Sequence, residues 1–279
     1  IMADLLKGTE FIPKTIKGDI VKIKVNSINR KYAFGKVISY IKKSSDIENV
    51  KCPYYDKCGG CDLLHVSYSR ENYLKKKYIS HIFNDFPCEI NYFDRENYRN
   101  KVTLHVKNKK LGFYKEKTNE LIEISSCMLL DNEINKLVKF LKNIDLSLIE
   151  EIVIKKGDDN LLLSVTGNIN NKDILNLINF PGLTSIYQND KLIYGNEYII
   201  NRLGNIRYNI NQNSFFQVNN KCANLLYDRV KDYVKCSDKL LDLYCGTGSI
   251  GIYLSDICKE IVGIEINKDS VKCAKKNIK

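Results

Sequence analysis

Leu240-Leu-Asp242-Leu-Tyr244-Cys-Gly246-Thr-Gly248-Ser-Ile-Gly251 runs an apolar stretch into three glycines, and its surroundings decide the fold. Residues 239–244 read as a buried strand; after the glycines the apolar spacing predicts a helix over 250–257, a strand over 261–266 and a helix from near Lys268. A helix over 220–234, with Ala223, Leu226, Val230 and Tyr233 on one face, precedes them. Strand and helix alternate, which indicates a parallel α/β sheet. The glycines fit G-x-G-x-x-G at a strand-to-helix turn, a pattern that dinucleotide sites share. Two acids shift the preference. Asp242 stands just ahead of the glycines, where a pyrophosphate would meet a negative charge. S-adenosylmethionine presents a cationic sulfonium and an amino group instead. Glu265 closes the second strand seventeen residues after Gly248, where a carboxylate can accept ribose hydroxyls. A methyl donor is favoured, a nicotinamide cofactor competes, and a purely structural glycine turn is the bland alternative.

Upstream of residue 205 the pattern is mixed. Strand-like stretches at 98–106, 111–114, 151–155, 161–166, 198–200 and 206–210 are interleaved with helical pieces near 131–142 and 171–178. At the start, Val21, Ile23 and Val25 alternate with Lys22 and Lys24, a half-buried strand with a basic outer face, and residues 32–41 suggest another. Leu74, Tyr78, Ile79, Ile82 and Phe83 are spaced for an amphipathic helix within 67–83.

The 279 residues carry a net charge of +11, 44% apolar and 28% charged residues. Those values exclude wholesale disorder, and no apolar run is long enough to span a membrane. No signal core opens the chain, and ten cysteines without an export signal point to a reducing compartment, the cytoplasm. The positive charge favours a polyanionic partner. Drift in a Lys-, Asn- and Ile-rich composition is the competing explanation. The distribution helps: residues 95–117 hold eight Lys/Arg against two Glu. Arg99, Lys101, Thr103, His105 and Lys107 fall on one face of a strand whose other face carries Val102, Leu104 and Val106. Such a face can track phosphates, with Tyr98 near enough to stack on a base. A solvated face is the alternative.

Cys52-Pro-Tyr-Tyr-Asp-Lys-Cys58-Gly-Gly-Cys61 places three thiols within ten residues. A soft four-coordinate centre needs a fourth, for which Cys127 is the best candidate. Zinc competes, although structural zinc sites usually pair two C-x-x-C knuckles and only one occurs here. Cys88, Cys222, Cys236, Cys258 and Cys273 lack such spacing.

C-x5-C-G-G-C followed by a distant lone Cys resembles the RNA (uracil-C5)-methyltransferase family, specifically its iron–sulfur members acting on 23S ribosomal RNA. The resemblance implies that Cys52, Cys58, Cys61 and Cys127 hold a 4Fe-4S cluster. Residues 18–44 resemble the latter part of a TRAM domain, an OB-like RNA-binding barrel. The glycine stretch resembles the family's D-x-[FY]-C-G-x-G loop, which implies cofactor contacts for Tyr244, Gly246 and Gly248 and ribose binding for Glu265. Phe215-Phe216-Gln217-Val218-Asn219 resembles the signature F-x-Q-x-N, whose Gln lies beside cofactor and target base. Without the family, Gln217 and Asn219 are polar residues capping the next helix. Tyr98-Arg99-Asn100-Lys101 resembles the family's Y-R segment, which implies RNA contact for Arg99 and Lys101.

The expected architecture is α+β and multidomain. A partial TRAM-like β-barrel spans 1–50, an α+β iron–sulfur central domain 51–204, and the start of a Rossmann-like class I methyltransferase domain 205–279. The family's chemistry adds a Cys thiolate to uracil carbon 6 before carbon 5 takes the methyl group, and a Glu removes the proton. Neither residue can be matched; both are expected beyond Lys279, and the chain is expected to be truncated at both ends. Cys245 is a poor nucleophile candidate, with no His or Lys nearby to activate it. The expected parent protein is a cytoplasmic monomer that methylates uracil in RNA, and the chain as given is expected to be inactive alone. Ribosomal RNA is the favoured substrate, and transfer RNA the alternative. A non-catalytic iron–sulfur RNA-binding module and a cluster-bearing oxidoreductase are the rival classes.

Overall fold

The computed structural model describes residues 9–278, so the first eight residues of the expected 1–50 segment and the last of 205–279 lie outside the described residues. Contacts divide the chain between Tyr92 and Phe93 into two compact units, a boundary that falls inside the expected central segment.

In the first unit, β1 (Thr9–Phe11), β2 (Ile20–Ile28) and β3 (Tyr32–Lys42) form a sheet in the order β1-β3-β2. β2 and β3 are antiparallel, and β1 lies parallel to β3. Val21, Ile23 and Val25 are half-buried while Lys22 and Lys24 are exposed, as the alternation requires. Among the described residues the sheet has three strands with β1 and β2 as its edges, so no closed barrel is formed. The cysteine stretch comes next as a chain of turns. Helix α1 (Tyr68–Ile82) is capped by Ser67, whose hydroxyl accepts from the Arg70 amide at 3.4 Å.

The second unit is built on a seven-stranded sheet. Its chain order is β4 (Lys101–Lys107), β5 (Lys110–Tyr114), β6 (Leu121–Glu123), α2 (Asn132–Leu141), β7 (Ile149–Lys156), β8 (Leu161–Gly167), α3 (Asn171–Ile178), β9 (Leu183–Gln188) and β10 (Lys191–Gly195). The strands lie in the order β10-β9-β8-β7-β4-β5-β6. Only β8 and β9 run parallel, because α3 carries the chain back between them. Ile134, Leu137, Val138 and Leu141 of α2 are buried, as are Leu104, Ile152 and Ile154 of the sheet; α2 packs on β7 and α3 on β9. Strands β6, β9 and β10 escape the sequence patterns. β6 is three residues long, and β9–β10 is a hairpin turned by Asn189 and Asp190, both with positive φ.

The hairpin of β11 (Ile199–Leu203) and β12 (Ile206–Ile210), together with α4 (Asn220–Val234), packs against part of this sheet. Tyr208, Ile199, Leu203, Phe216 and Tyr227 form a second core there with Leu162 and Tyr187 of the sheet. β13 (Ser237–Leu243), α5 (Ser249–Tyr253), β14 (Cys258–Ile264) and α6 (Lys268–Asn277) complete the chain, with β13 and β14 parallel and Leu240 opposite Ile261. Helix α5 stops at Tyr253, short of the expected 257. The 254–257 residues turn instead so that Cys258 can pair with Ser237, which starts β14 three residues early.

Candidate functional site

Beyond β13 the chain turns through three left-handed residues, Tyr244 (φ 60°), Gly246 (φ 56°) and Gly248 (φ 75°). A Cβ at Gly246 would meet no heavy atom within 4 Å, so the turn is open on that side. At Gly248 a Cβ would press on Ile252 and Ala274 at 3.2 and 3.3 Å, and only glycine fits without shifting them. Tyr244 takes the left-handed conformation without that licence and leaves its side chain 88% exposed. The Gly246 amide donates to the Glu265 carboxylate at 2.9 Å and the Asn267 amide to its other oxygen at 2.7 Å. These bonds, that from Asn267 first, hold the Glu265 carboxyl below its ordinary range. Tyr244, Gly246 and Glu265 thus meet at the carboxyl ends of two parallel strands, where α/β folds bind ligands. A fixed carboxylate here can accept hydroxyl hydrogens.

Asp242 has another role than the one expected. Its carboxylate accepts the Gly251 amide at 3.1 Å, anchoring α5, and burial pushes its pKa up. A cleft of about 500 Å³ between β13–β14 and helices α5 and α6 is lined by Asp242, Gly248, Ile252, Ile261 and Val271, without Tyr244, Gly246 or Glu265.

The 211–219 segment is fixed from several sides. Asn211's carboxamide oxygen accepts from the Ser214 amide (2.8 Å) and hydroxyl (2.6 Å). Asn213 donates to Asp269 at 3.0 Å, tying the segment to the first turn of α6, just after Glu265. Phe216 is buried whereas Phe215 is 68% exposed. Asn219 is the N-cap of α4 and accepts from the Cys222 amide at 3.1 Å; Gln217 plays no part in that cap, so its side chain is not accounted for by helix capping.

Cys52, Cys58 and Cys61 are partly buried thiols in the turns of the first unit. Burial pushes the Cys58 thiol up, the Gly60 amide pulls it down, and Cys52 adds to the rise. Cys127, in the second unit, is also a partly buried thiol, and its backbone is clamped by Asn135, which accepts its amide at 2.8 Å and donates to its carbonyl at 3.0 Å. Among the described residues no group of three or more His, Cys, Asp or Glu side chains is arranged to hold a metal ion.

On β4, Val102 and Leu104 face the core while Lys101, Thr103 and His105 lie on the partly open face, with Lys101 opposite Lys155 and His105 opposite Glu151. Arg99 is exposed, and its Nε donates to the Lys101 carbonyl at 3.2 Å. Two residues that sequence patterns pass over, Asn100 and Lys155, reach the 211–219 segment: Asn100 donates to the Gln217 carbonyl at 3.0 Å, and Lys155 to the Ser214 carbonyl at 2.6 Å. The only sequence signal for Lys155 is a cation on a face that half-buried neighbours share.

Residues 168–279 match the family described as tRNA (Uracil-5-)-methyltransferase. An uncharacterized RNA methyltransferase of Clostridium acetobutylicum is 30% identical over 97% of this chain and 70% of its own length. The chain belongs to the RNA uracil-5-methyltransferase family. A second such relative, from Staphylococcus epidermidis, is 28% identical over 96% of this chain and 69% of its own. The fold is that of the Pyrococcus abyssi tRNA (uracil-54, C5)-methyltransferase solved with S-adenosyl-L-homocysteine: TM-score 0.77 at 22% identity, over 98% of this chain and 72% of that one. As a member of that methyltransferase family the protein is an S-adenosylmethionine-dependent enzyme, and the matched region contains Gln217, Tyr244, Gly246, Gly248 and Glu265. Among the described residues no helix is long and apolar enough to cross a membrane.

Proposed function

We propose that the protein methylates carbon 5 of a uracil in structured RNA, with 23S ribosomal RNA as the substrate class and Tyr244, Gly246, Gly248 and Glu265 as the donor site. The observation that carries this assignment is the Gly246–Glu265 bond at the carboxyl ends of β13 and β14, with the 211–219 segment tied beside it through Asn213 and Asp269. S-adenosylmethionine supplies an electrophilic methyl group when bound. Glu265 accepts the ribose hydroxyls, Tyr244 lies against the donor, and Gln217 orients the uracil. The base must leave its stack to reach them. Arg99 and Lys101 grip the RNA backbone, and the protein acts as a cytoplasmic monomer with the division 1–50 (TRAM-like), 51–204 and 205–279.

The preference for ribosomal RNA rests on the cysteine pattern. By the family resemblance Cys52, Cys58, Cys61 and Cys127 would hold a 4Fe-4S cluster; all four are partly buried thiols, of the chemistry such a cluster takes, although among the described residues no three of them are arranged to hold a metal. The cluster's part would be structural, with no redox step in the methylation. Transfer RNA is the second reading, favoured by the transfer RNA substrate of the structural relative. Labelled methyl transfer to ribosomal and transfer RNA in parallel, with the nucleoside identified, decides between them. Preference for transfer RNA would remove the ribosomal assignment and leave the chemistry standing.

A further inference from the structure

Lys155 is only 5% exposed, in a strand whose neighbours Val153 and Ile154 are apolar. An aliphatic side chain would fold there at less cost, since a buried amine gives up its hydration. Its Nζ donates to two backbone carbonyls, Ser214 at 2.6 Å and Asn211 at 3.0 Å. The titratable groups that face it are Lys101 from β4 and Cys273 from α6; the 211–214 turn presents only carbonyls.

The two carbonyls belong to one small device. Asn211's side chain closes the turn on one side by accepting the Ser214 amide and hydroxyl, and Lys155 closes it on the other. Ser214's hydroxyl also meets the Cys273 thiol at 3.0 Å. The next residues are Phe215, exposed, and Phe216, buried, so the turn sets which ring points outward. At the far end Asn100 donates its side chain to the Gln217 carbonyl (3.0 Å) and its amide to the Val218 carbonyl (2.9 Å), while its own carbonyl accepts the Lys156 amide (2.8 Å). Neighbouring positions on β7 thus grip both ends of the segment, Lys155 directly and Lys156 through Asn100.

We infer that Lys155 is a positioning residue for the methyl transfer: by holding the Asn211 and Ser214 carbonyls it fixes where Phe215 and Gln217 meet the target base. This rests on the assignment of Gln217 to the uracil. Burial, helped by Lys101, brings the Lys155 pKa down to about 7. The clamp therefore carries a charge in acid and loses it, with one of its three donor hydrogens, above neutrality. Its two remaining N–H donors still match the two carbonyls, so above neutrality the clamp loses its charge assistance and weakens.

The test uses the full-length enzyme with Lys155→Met and Lys155→Gln. Single-turnover methylation should fall by about tenfold or more in Lys155→Met, while S-adenosylhomocysteine affinity stays within about twofold. Lys155→Gln, which keeps a donor, should fall between. Backbone amides of 213–218 should exchange faster in both variants, with those of β14 and α6 unchanged. Relative to Lys155→Met, the wild-type rate should fall as pH rises through 7. Unchanged rates, or donor affinity lost in step with rate, would overturn the inference. If Lys155→Met fails to fold, Lys155→Gln carries the same readouts. If the wild type makes no 5-methyluridine, the assigned reaction falls, and the exchange data still decide whether Lys155 holds the segment.

Discussion

The Gly246 amide donates to the Glu265 carboxylate at 2.9 Å, joining the turn that ends β13 to the residue just beyond β14. Asn267 donates to the other oxygen, so the carboxylate is oriented before any ligand arrives, and preorganisation spares the ordering cost of binding.

Removing that carboxylate should act on the donor. Glu265→Ala is expected to weaken S-adenosylhomocysteine binding by about tenfold or more, the scale of a lost charge-assisted hydrogen bond, and Glu265→Gln by less. Isothermal titration measures both. Because its two amide donors hold the Glu265 carboxyl below its ordinary range, its stabilising contribution is present above the unfolded-state carboxyl pKa and is lost as pH falls through the folded-state value. Donor affinity should accordingly stay level from pH 6 to pH 8.

Lys155 has a dependence of the same sign in a higher pH window. Its folded pKa is lowered from 10.5 to about 7, so between those values the unfolded chain binds the proton and the folded chain does not. The group's contribution to stability rises with pH across that window, by an amount on the order of a few kcal/mol. Urea unfolding at pH 7 and pH 9 should show the rise in the wild type and a flatter profile in Lys155→Met. Parallel profiles would mean that Lys155 keeps an ordinary pKa.

Legibility from sequence followed the range of the interactions. The β13–α5–β14–α6 order could be read because buried strands and glycine turns are local patterns, and α3 and α4 match their expected spans. β9 and β10 could not, because Ser185 is fully buried within β9 while Leu192, Ile193 and Tyr194 of β10 are exposed, the reverse of a simple alternation. The site divided in the same way. Gly246, Gly248 and Glu265 announce themselves by spacing. Asp242 was expected to face the ligand, and only the tertiary structure reveals its bond to Gly251. Lys155 is separated from its acceptors by 56 and 59 residues, a distance no local pattern spans.

RNA binding should depend on where the cations are. Arg99→Ala with Lys101→Ala should weaken binding and flatten its salt dependence by about one to two units of log–log slope. Replacing Lys275 and Lys276 with Ala should do much less. Filter binding across a salt series reads both, and equal effects would favour diffuse charge over a dedicated strand.

The thiols make a separate prediction. Anaerobically prepared protein should be brown with about four irons per chain, and Cys127→Ser should bleach it as fully as Cys58→Ser. A full cluster in Cys127→Ser would remove that residue from the ligand set. Stoichiometric zinc in a colourless preparation would replace the cluster altogether.

The most direct measurement of the central claim uses RNA carrying tritium at uridine carbon 5. Methylation at that carbon must expel its hydrogen, so tritium should enter solvent one for one with methyl groups taken from labelled S-adenosylmethionine, and 5-methyluridine should be the labelled nucleoside. Methyl incorporation without tritium release would place the methyl group elsewhere and contradict the account.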